Sequence, residues 1–231
     1  MNKKAMDVEE LYRRYAAGER DFPGVDLSHA NLNVANVEDL EELEPGQNYL
    51  SGINFSGANL RMANLSYVNL SGANLSGVQL CDGDLSEANL SGTNLSNANL
   101  FYTSLIKADM SGADLSGANL NCTQLNCADL SGANLSKTNL AEADLSGADL
   151  SQADLSGANL EEASLAEVNL TGACLTDTYL GEPLLTRANL TGVNLSEAIV
   201  DLELANISGI EGAIFCNTIM PDGSTRNDHC E

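Results

Sequence analysis

Glu142, Glu162 and Glu182 recur at intervals of twenty residues, with Glu161 beside the second and Asp82 three intervals below the first. A fold that stacked these carboxylates would bring their charges within reach of one cation or one basic partner. At a spacing of about 4.8 Å two unit charges repel by about 0.9 kcal/mol even in water, so folding gains nothing from such a ladder. A second reading stands beside the first: a solvated face that keeps a rod with long edges soluble. Phe101 and Tyr102 fall two intervals below Glu142 and are expected to be exposed on the same side. Aromatics beside an acidic stripe suit a protein interface, and structural filler is the other reading.

Nothing else in the chain assembles into chemistry. The two histidines, His29 and His229, lie at opposite ends of the chain, so neither can join a triad or a metal site with the other. The six cysteines show no zinc spacing. Cys122 and Cys127 stand one repeat apart, Cys81 and Cys174 stand alone, and Cys216 with Cys230 is the one pair that a fold-back of a turn-rich tail could join. Without an export signal the default is reduced thiols and a cytoplasmic location. No glycine-rich loop links a strand to a helix. The expectation is a chain that is no enzyme and binds no cofactor or metal.

Composition narrows the class further. Ten Lys and Arg against 33 Asp and Glu give a formal charge of −23, which argues against direct contact with nucleic acid or anionic membranes. No apolar run approaches the length that a bilayer demands, so no spanning helix is expected. Aromatics make up 4% and there is no Trp, so the core must be filled by something more uniform than rings.

That filler is leucine on a five-residue period. Of the 31 positions from Leu50 to Val200 at this spacing, 28 are Leu, the others being Phe55, Met110 and Val200. Two residues earlier, 18 are Ala and nine are Thr or Val. The preceding residue is mostly Asn or Asp, and Ser-Gly often follows. Five matches neither the helical period of 3.6 nor the strand period of 2. A helix would sweep the leucines round its axis by about 140° per step. The pattern instead fits a chain that turns a corner every five residues, with Leu and the small residue inward and Asn/Asp, Ser and Gly outward or at corners. Four edges close a square coil, and coils stack at about 4.8 Å. A surface period of twenty should follow, and one corner reads Gly52, Gly72, Gly92, Gly112, Gly132. Another corner at that spacing reads Met62, Asp82, Tyr102, Cys122, Glu142, Glu162, Glu182.

The repeated Ala-Asn/Asp-Leu unit, as in Ala133-Asn134-Leu135, resembles the pentapeptide-repeat proteins over roughly residues 22–220. The resemblance implies an all-β fold, a right-handed quadrilateral parallel β-helix. About 39 pentads make about ten coils, a rod roughly 47 Å long.

At the start, Asp7 reads as an N-cap with Glu10 three residues on, Val8, Leu11, Tyr12 and Tyr15 as an apolar face, and Gly18 as the stop. This short α-helix is expected to cap the first coil. The expected division is a helix and leader over 1–21, a first coil over 22–37 with Phe22, Leu27, Leu32 and Val37 inward, an acidic inserted loop over 38–49, the main β-helix over 50–220 and a tail over 221–231. Gly181-Glu182-Pro183-Leu184-Leu185 breaks the unit and is expected to bulge beside the ladder. The frame continues through Ala205, Ile210, Phe215 and Met220, with Glu203 distorting one coil.

Three functions remain open. The first is a monomeric binding module, a rigid acidic rod presenting a face to a protein partner with a basic surface. The leader Tyr15-Ala16-Ala17-Gly18-Glu19 and the ending Met220-Pro221-Asp222-Gly223-Ser224 are similar to those of cyanobacterial family members implicated in heterocyst regulation. The second is DNA mimicry, since some family members inhibit DNA gyrase. Residues 50–220 carry 19 acidic and 4 basic residues, a net of 15 negative charges. A duplex of the same length, about 42 Å, would carry about 25, so the rod reaches roughly 60% of that density. The third is a structural or stress-related role without a specific partner.

Overall fold

A corner every five residues leaves room for one backbone bridge per side, and that is how the chain is built. In the computed structural model, which describes residues 6–33, 49–181, 185–200 and 210–230, almost all pairing is single parallel bridges between residues twenty apart. Asn54 pairs with Asn74, Asn59 with Gln79, Asn64 with Asp84 and Asn69 with Asn89, one on each of four sides. We number the sides by their inward residues: the first holds Leu75 and Leu95, the second Leu80 and Leu100, the third Leu85 and Leu105, the fourth Leu90 and Met110. These side chains are fully buried, and the Ala, Val or Thr two residues earlier are at most a few per cent exposed.

The pentad 134–138 shows why the repeat needs its residue types. Asn134 N–H donates to Ala113 O of the coil below at 2.9 Å, and Leu135 N–H to Asp154 O of the coil above at 2.7 Å. Lys137 N–H reaches Ser156 O at 2.9 Å, and Thr138 N–H closes the turn onto Leu135 O at 3.2 Å. The fifth amide, of Ser136, has no carbonyl to meet and donates to Asn134 Oδ1 at 3.0 Å. Where Asn or Asp precedes the Leu, as it mostly does, its side chain is thus the acceptor that completes the backbone account, an Asx turn at the corner. The same bond recurs from Ser56 onto Asn54 to Ser196 onto Asn194.

The helix α1, Val8–Ala16, begins at Asp7, whose carboxylate accepts the Glu10 N–H at 2.7 Å. The Glu10 side chain pairs with Arg13. Leu11 and Tyr12 are buried against the core, Tyr12 donates its hydroxyl to Leu32 O at 2.7 Å, and Tyr15 donates to Ser51 O at 2.9 Å. Burial pushes the Tyr12 phenol far above its ordinary pKa.

Two registers depart from twenty. Asp21 pairs with Asn54, Asp26 with Asn59 and Asn31 with Asn64, each across a longer gap that takes in the acidic insertion, and the next bridge is Tyr49 with Asn69. Leu50 therefore takes the fourth side of the first coil, the place the sequence frame assigns to Val37. Val37 and most of the acidic insertion lie outside the described residues. At the other end Asn189 pairs with Ile214 and Asn194 with Ile219, a full coil plus one pentad along the chain. One pentad more than the sequence frame allows intervenes before Ile210. Ala205 and Glu203 fall outside the described residues.

Four short strands complete the assignment: β1 Tyr179–Gly181, β2 Ile199–Val200, β3 Thr218–Ile219 and β4 Thr225–Arg226. β1 and β2 are parallel with a register shift between Tyr179 and Gly181, beside the irregular segment read from the sequence. Pro183 and Leu184 lie outside the described residues. β3 and β4 pair antiparallel.

Candidate functional site

The corner between the second and third sides carries the candidate residues. Met62, Asp82, Tyr102, Cys122, Glu142 and Glu162 sit there with φ of 56°, 59°, 55°, 57°, 59° and 58°. Left-handed backbone costs an L-residue roughly 1–2 kcal/mol, so a non-glycine corner is stabilised elsewhere, by its place in the ladder. Asp82 N–H donates to Phe101 O, Tyr102 N–H to Asn121 O, Cys122 N–H to Ala141 O and Glu142 N–H to Glu161 O, at 2.8–3.3 Å. The side chains project off this rigid line, Tyr102 58% exposed.

Neighbours in the line touch. Cys122 Sγ lies 3.7 Å from Glu142 Oε2. The Tyr102 phenol is pushed above its ordinary pKa, first by its hydrogen bond with Cys122 and further by the negative charges of Glu142 and Asp82. Arg61 stands 3.8 Å from Asp82. Glu142, Glu161 and Glu162 are exposed and, among the described residues, form no ion pair. Glu182 lies outside the described residues. Phe101 is half-buried rather than exposed, because its ring meets Tyr102 edge-on at 4.4 Å.

Beside the acidic corner, on the second side, runs an amide ladder. Asn99, Asn119, Asn139 and Asn159 each donate Nδ2 to the side-chain oxygen one coil below, at 3.2–3.4 Å. A second acidic column, not singled out from the sequence, stands on the fourth side. Asp109, Asp129 and Asp149 bridge in succession, and Asn169 Nδ2 donates to Asp149 Oδ1 at 3.0 Å. Its signal was present: Asp rather than Asn at three successive positions twenty apart, before Met110, Leu130 and Leu150.

Cys81, Cys122, Cys127 and Cys174 are free, and hydrogen bonds from Ser156 and Thr176 hold the Cys174 thiol below its ordinary pKa. Cys216 and Cys230 are joined, their Cα atoms 4.9 Å apart. His29 is an exposed corner residue. His229 is more than a surface residue, since its Nδ1 accepts the Phe215 N–H at 3.2 Å. Among the described residues no group of three His, Cys, Asp or Glu could hold a metal ion, and no helix is long and apolar enough to cross a membrane.

The model of the family described as pentapeptide repeats matches in eight copies, over 49–86, 84–117, 108–147, 118–161 and 143–181. The chain belongs to the pentapeptide-repeat family. The rod of this pentapeptide-repeat protein is accordingly a right-handed β-helix. It is similar to HetL, a pentapeptide repeat protein involved in heterocyst differentiation regulation from the cyanobacterium Nostoc sp. strain PCC 7120. The two are 31% identical over 96% of this chain and 100% of HetL, with a TM-score of 0.41. It is similar to Rfr23, from the cyanobacterium Cyanothece 51142, at 25% identity over 71% of this chain and 96% of that one, with a TM-score of 0.32. It is also similar to QnrB1, a plasmid-mediated fluoroquinolone resistance protein, at 19% identity over 81% of this chain and 84% of that one, with a TM-score of 0.42. No curated protein matches the chain.

Proposed function

We propose that this pentapeptide-repeat protein is a non-enzymatic interaction module, a rigid acidic rod of about ten coils closed below by a short helical cap. Its partner is a protein with a basic surface. The contact runs along the corner of Asp82, Phe101, Tyr102, Glu142, Glu161, Glu162 and Glu182. One observation carries the reading: the exposed carboxylates of Glu142, Glu161 and Glu162, without ion pairs among the described residues, stand in line with an exposed tyrosine on a backbone ladder already ordered before a partner binds. A regulatory role of the kind stated for HetL fits such a module. The reading includes a monomer in the cytoplasm.

The test is affinity capture from the source organism with the wild type and with a variant carrying Glu142→Lys, Glu161→Lys and Glu162→Lys. The corner residues project from the rod, so the fold should survive the change. A partner held by the wild type and lost by the variant and by Tyr102→Ala is the expected result. Equal capture by all three overturns the assignment of this corner.

A second reading, DNA mimicry, is favoured by the Asp109, Asp129 and Asp149 column, which puts an acidic line on another side of the rod as a duplex would. It predicts inhibition of DNA supercoiling by gyrase, weakening steeply with salt. Unchanged supercoiling at low salt removes it.

A further inference from the structure

Inside the rod each coil supplies the acceptors for the coil below, so the last coil should be left with bare amides. In the inner pentad 134–138 those donors are Leu135 and Lys137. In the terminal coil the corresponding residues are Phe215 and Asn217, and both have acceptors of a different kind. Phe215 N–H donates to His229 Nδ1 at 3.2 Å, and Asn217 N–H donates to Asn227 Oδ1 at 2.7 Å. Tail side chains occupy the places that carbonyls of a further coil would fill. His229 N–H returns to Phe215 O at 3.1 Å, β4 pairs with β3, and the Arg226 guanidinium lies 3.8 Å over the Phe215 ring.

The Cys216–Cys230 bond joins this tail to the coil beside both amides. Cys216 is half-buried on the coil, whereas Cys230 is exposed on the tail. A reductant can therefore reach one sulfur without unfolding the rod.

We propose that Cys216–Cys230 is a thiol–disulfide exchange site that gates the closure of this end, and that its substrate is a dithiol reductant. A thiolate of the reductant attacks Sγ of Cys230, on the exposed tail. The sulfur–sulfur bond breaks and Cys216 leaves as a thiolate that takes a proton. The second thiol of the reductant then resolves the mixed disulfide and frees the Cys230 thiol. The chain gains two electrons and two protons, and the reductant departs as its own disulfide. The bond spans 14 residues. Losing the tie across a loop of that size raises the open fraction of the tail by roughly a hundredfold. Opening strips the acceptors from Phe215 and Asn217 and leaves an unpaired sheet edge.

The experiment is amide hydrogen exchange on the full chain, air-oxidised and after dithiothreitol, alongside Cys230→Ser. Exchange at Phe215 and Asn217 should accelerate roughly a hundredfold on reduction, while Leu95 and Leu135 stay unchanged. Cys230→Ser should show the fast rate with or without reductant, and re-oxidation of the wild type should restore the slow one. Equal rates before and after reduction overturn the proposal. So does alkylation of both cysteines by iodoacetamide before any reductant is added.

Discussion

The Phe22 and Phe55 rings meet at 6.2 Å, although the whole acidic insertion lies between them in the chain, because Asp21 bridges Asn54 and so stacks the two inward residues that follow. Both rings are almost wholly buried, and Arg14 of α1 covers Phe22 at 5.0 Å. This is where the narrow leucine bore gives way to aromatic bulk at its end.

Phe22→Ala should therefore open a cavity under Phe55 and cost about 3–5 kcal/mol. Because a solenoid is held by nearest-neighbour contacts, the loss should concentrate in the first coil and α1. Denaturant melts followed by exchange at Leu27 and at Leu135 separate a local loss from a global one. Equal loosening at both sites would contradict the nearest-neighbour picture.

Asn134 both accepts the Ser136 amide and donates Nδ2 to Asp114 Oδ1 at 3.1 Å. Asn134→Ala strands the Ser136 amide and should lower stability by about 1–3 kcal/mol. Asn134→Asp keeps the acceptor but stacks a carboxylate on Asp114, so its loss should shrink in high salt while that of the alanine variant does not. Chemical denaturation by urea at two salt concentrations reads both.

At Gly132 φ is 65° and an added Cβ would meet nothing within 4 Å. Gly132→Ala should thus report the backbone cost alone, about 1–2 kcal/mol. Lys107→Gly, at a corner with φ of 57°, relieves the same strain and should offset it in part against chain entropy. Thermal melts of the two variants should move in opposite directions.

Burial raises the Asp144 pKa, but the Ser146 hydroxyl, the Asn126 amide and the Ser146 N–H outweigh it and hold the carboxyl below its ordinary value. A depressed folded-state pKa adds stability that is complete above the unfolded value of about 3.9 and is lost as pH falls through the lower folded one. The stability gap between wild type and Asp144→Asn should be constant from neutral pH to about pH 5 and close in the acid limb. A gap that persists at pH 2 would show that the carboxylate charge is not what the donors hold.

The five-residue period determined which side chains face inward, and the separate surface period of twenty pointed to four sides and put Glu142, Glu162 and Tyr102 in one column. Those facts follow from local repetition, because a corner every five residues sets each side chain's direction without reference to distant chain. The Asx turns were also legible in kind, since Asn or Asp precedes most of the periodic Leu, yet the need for them emerged only when each amide was matched to an acceptor. What the tertiary structure decided is everything carried by pairing across an interruption. Leu50 on the fourth side of the first coil, the lengthened register between Asn189 and Ile214, and Phe101 turned onto Tyr102 have no local signature. The closing tail belongs with them. His229 and Asn227 read as ordinary polar residues until the last coil, lacking a successor, presents two amides that must find acceptors.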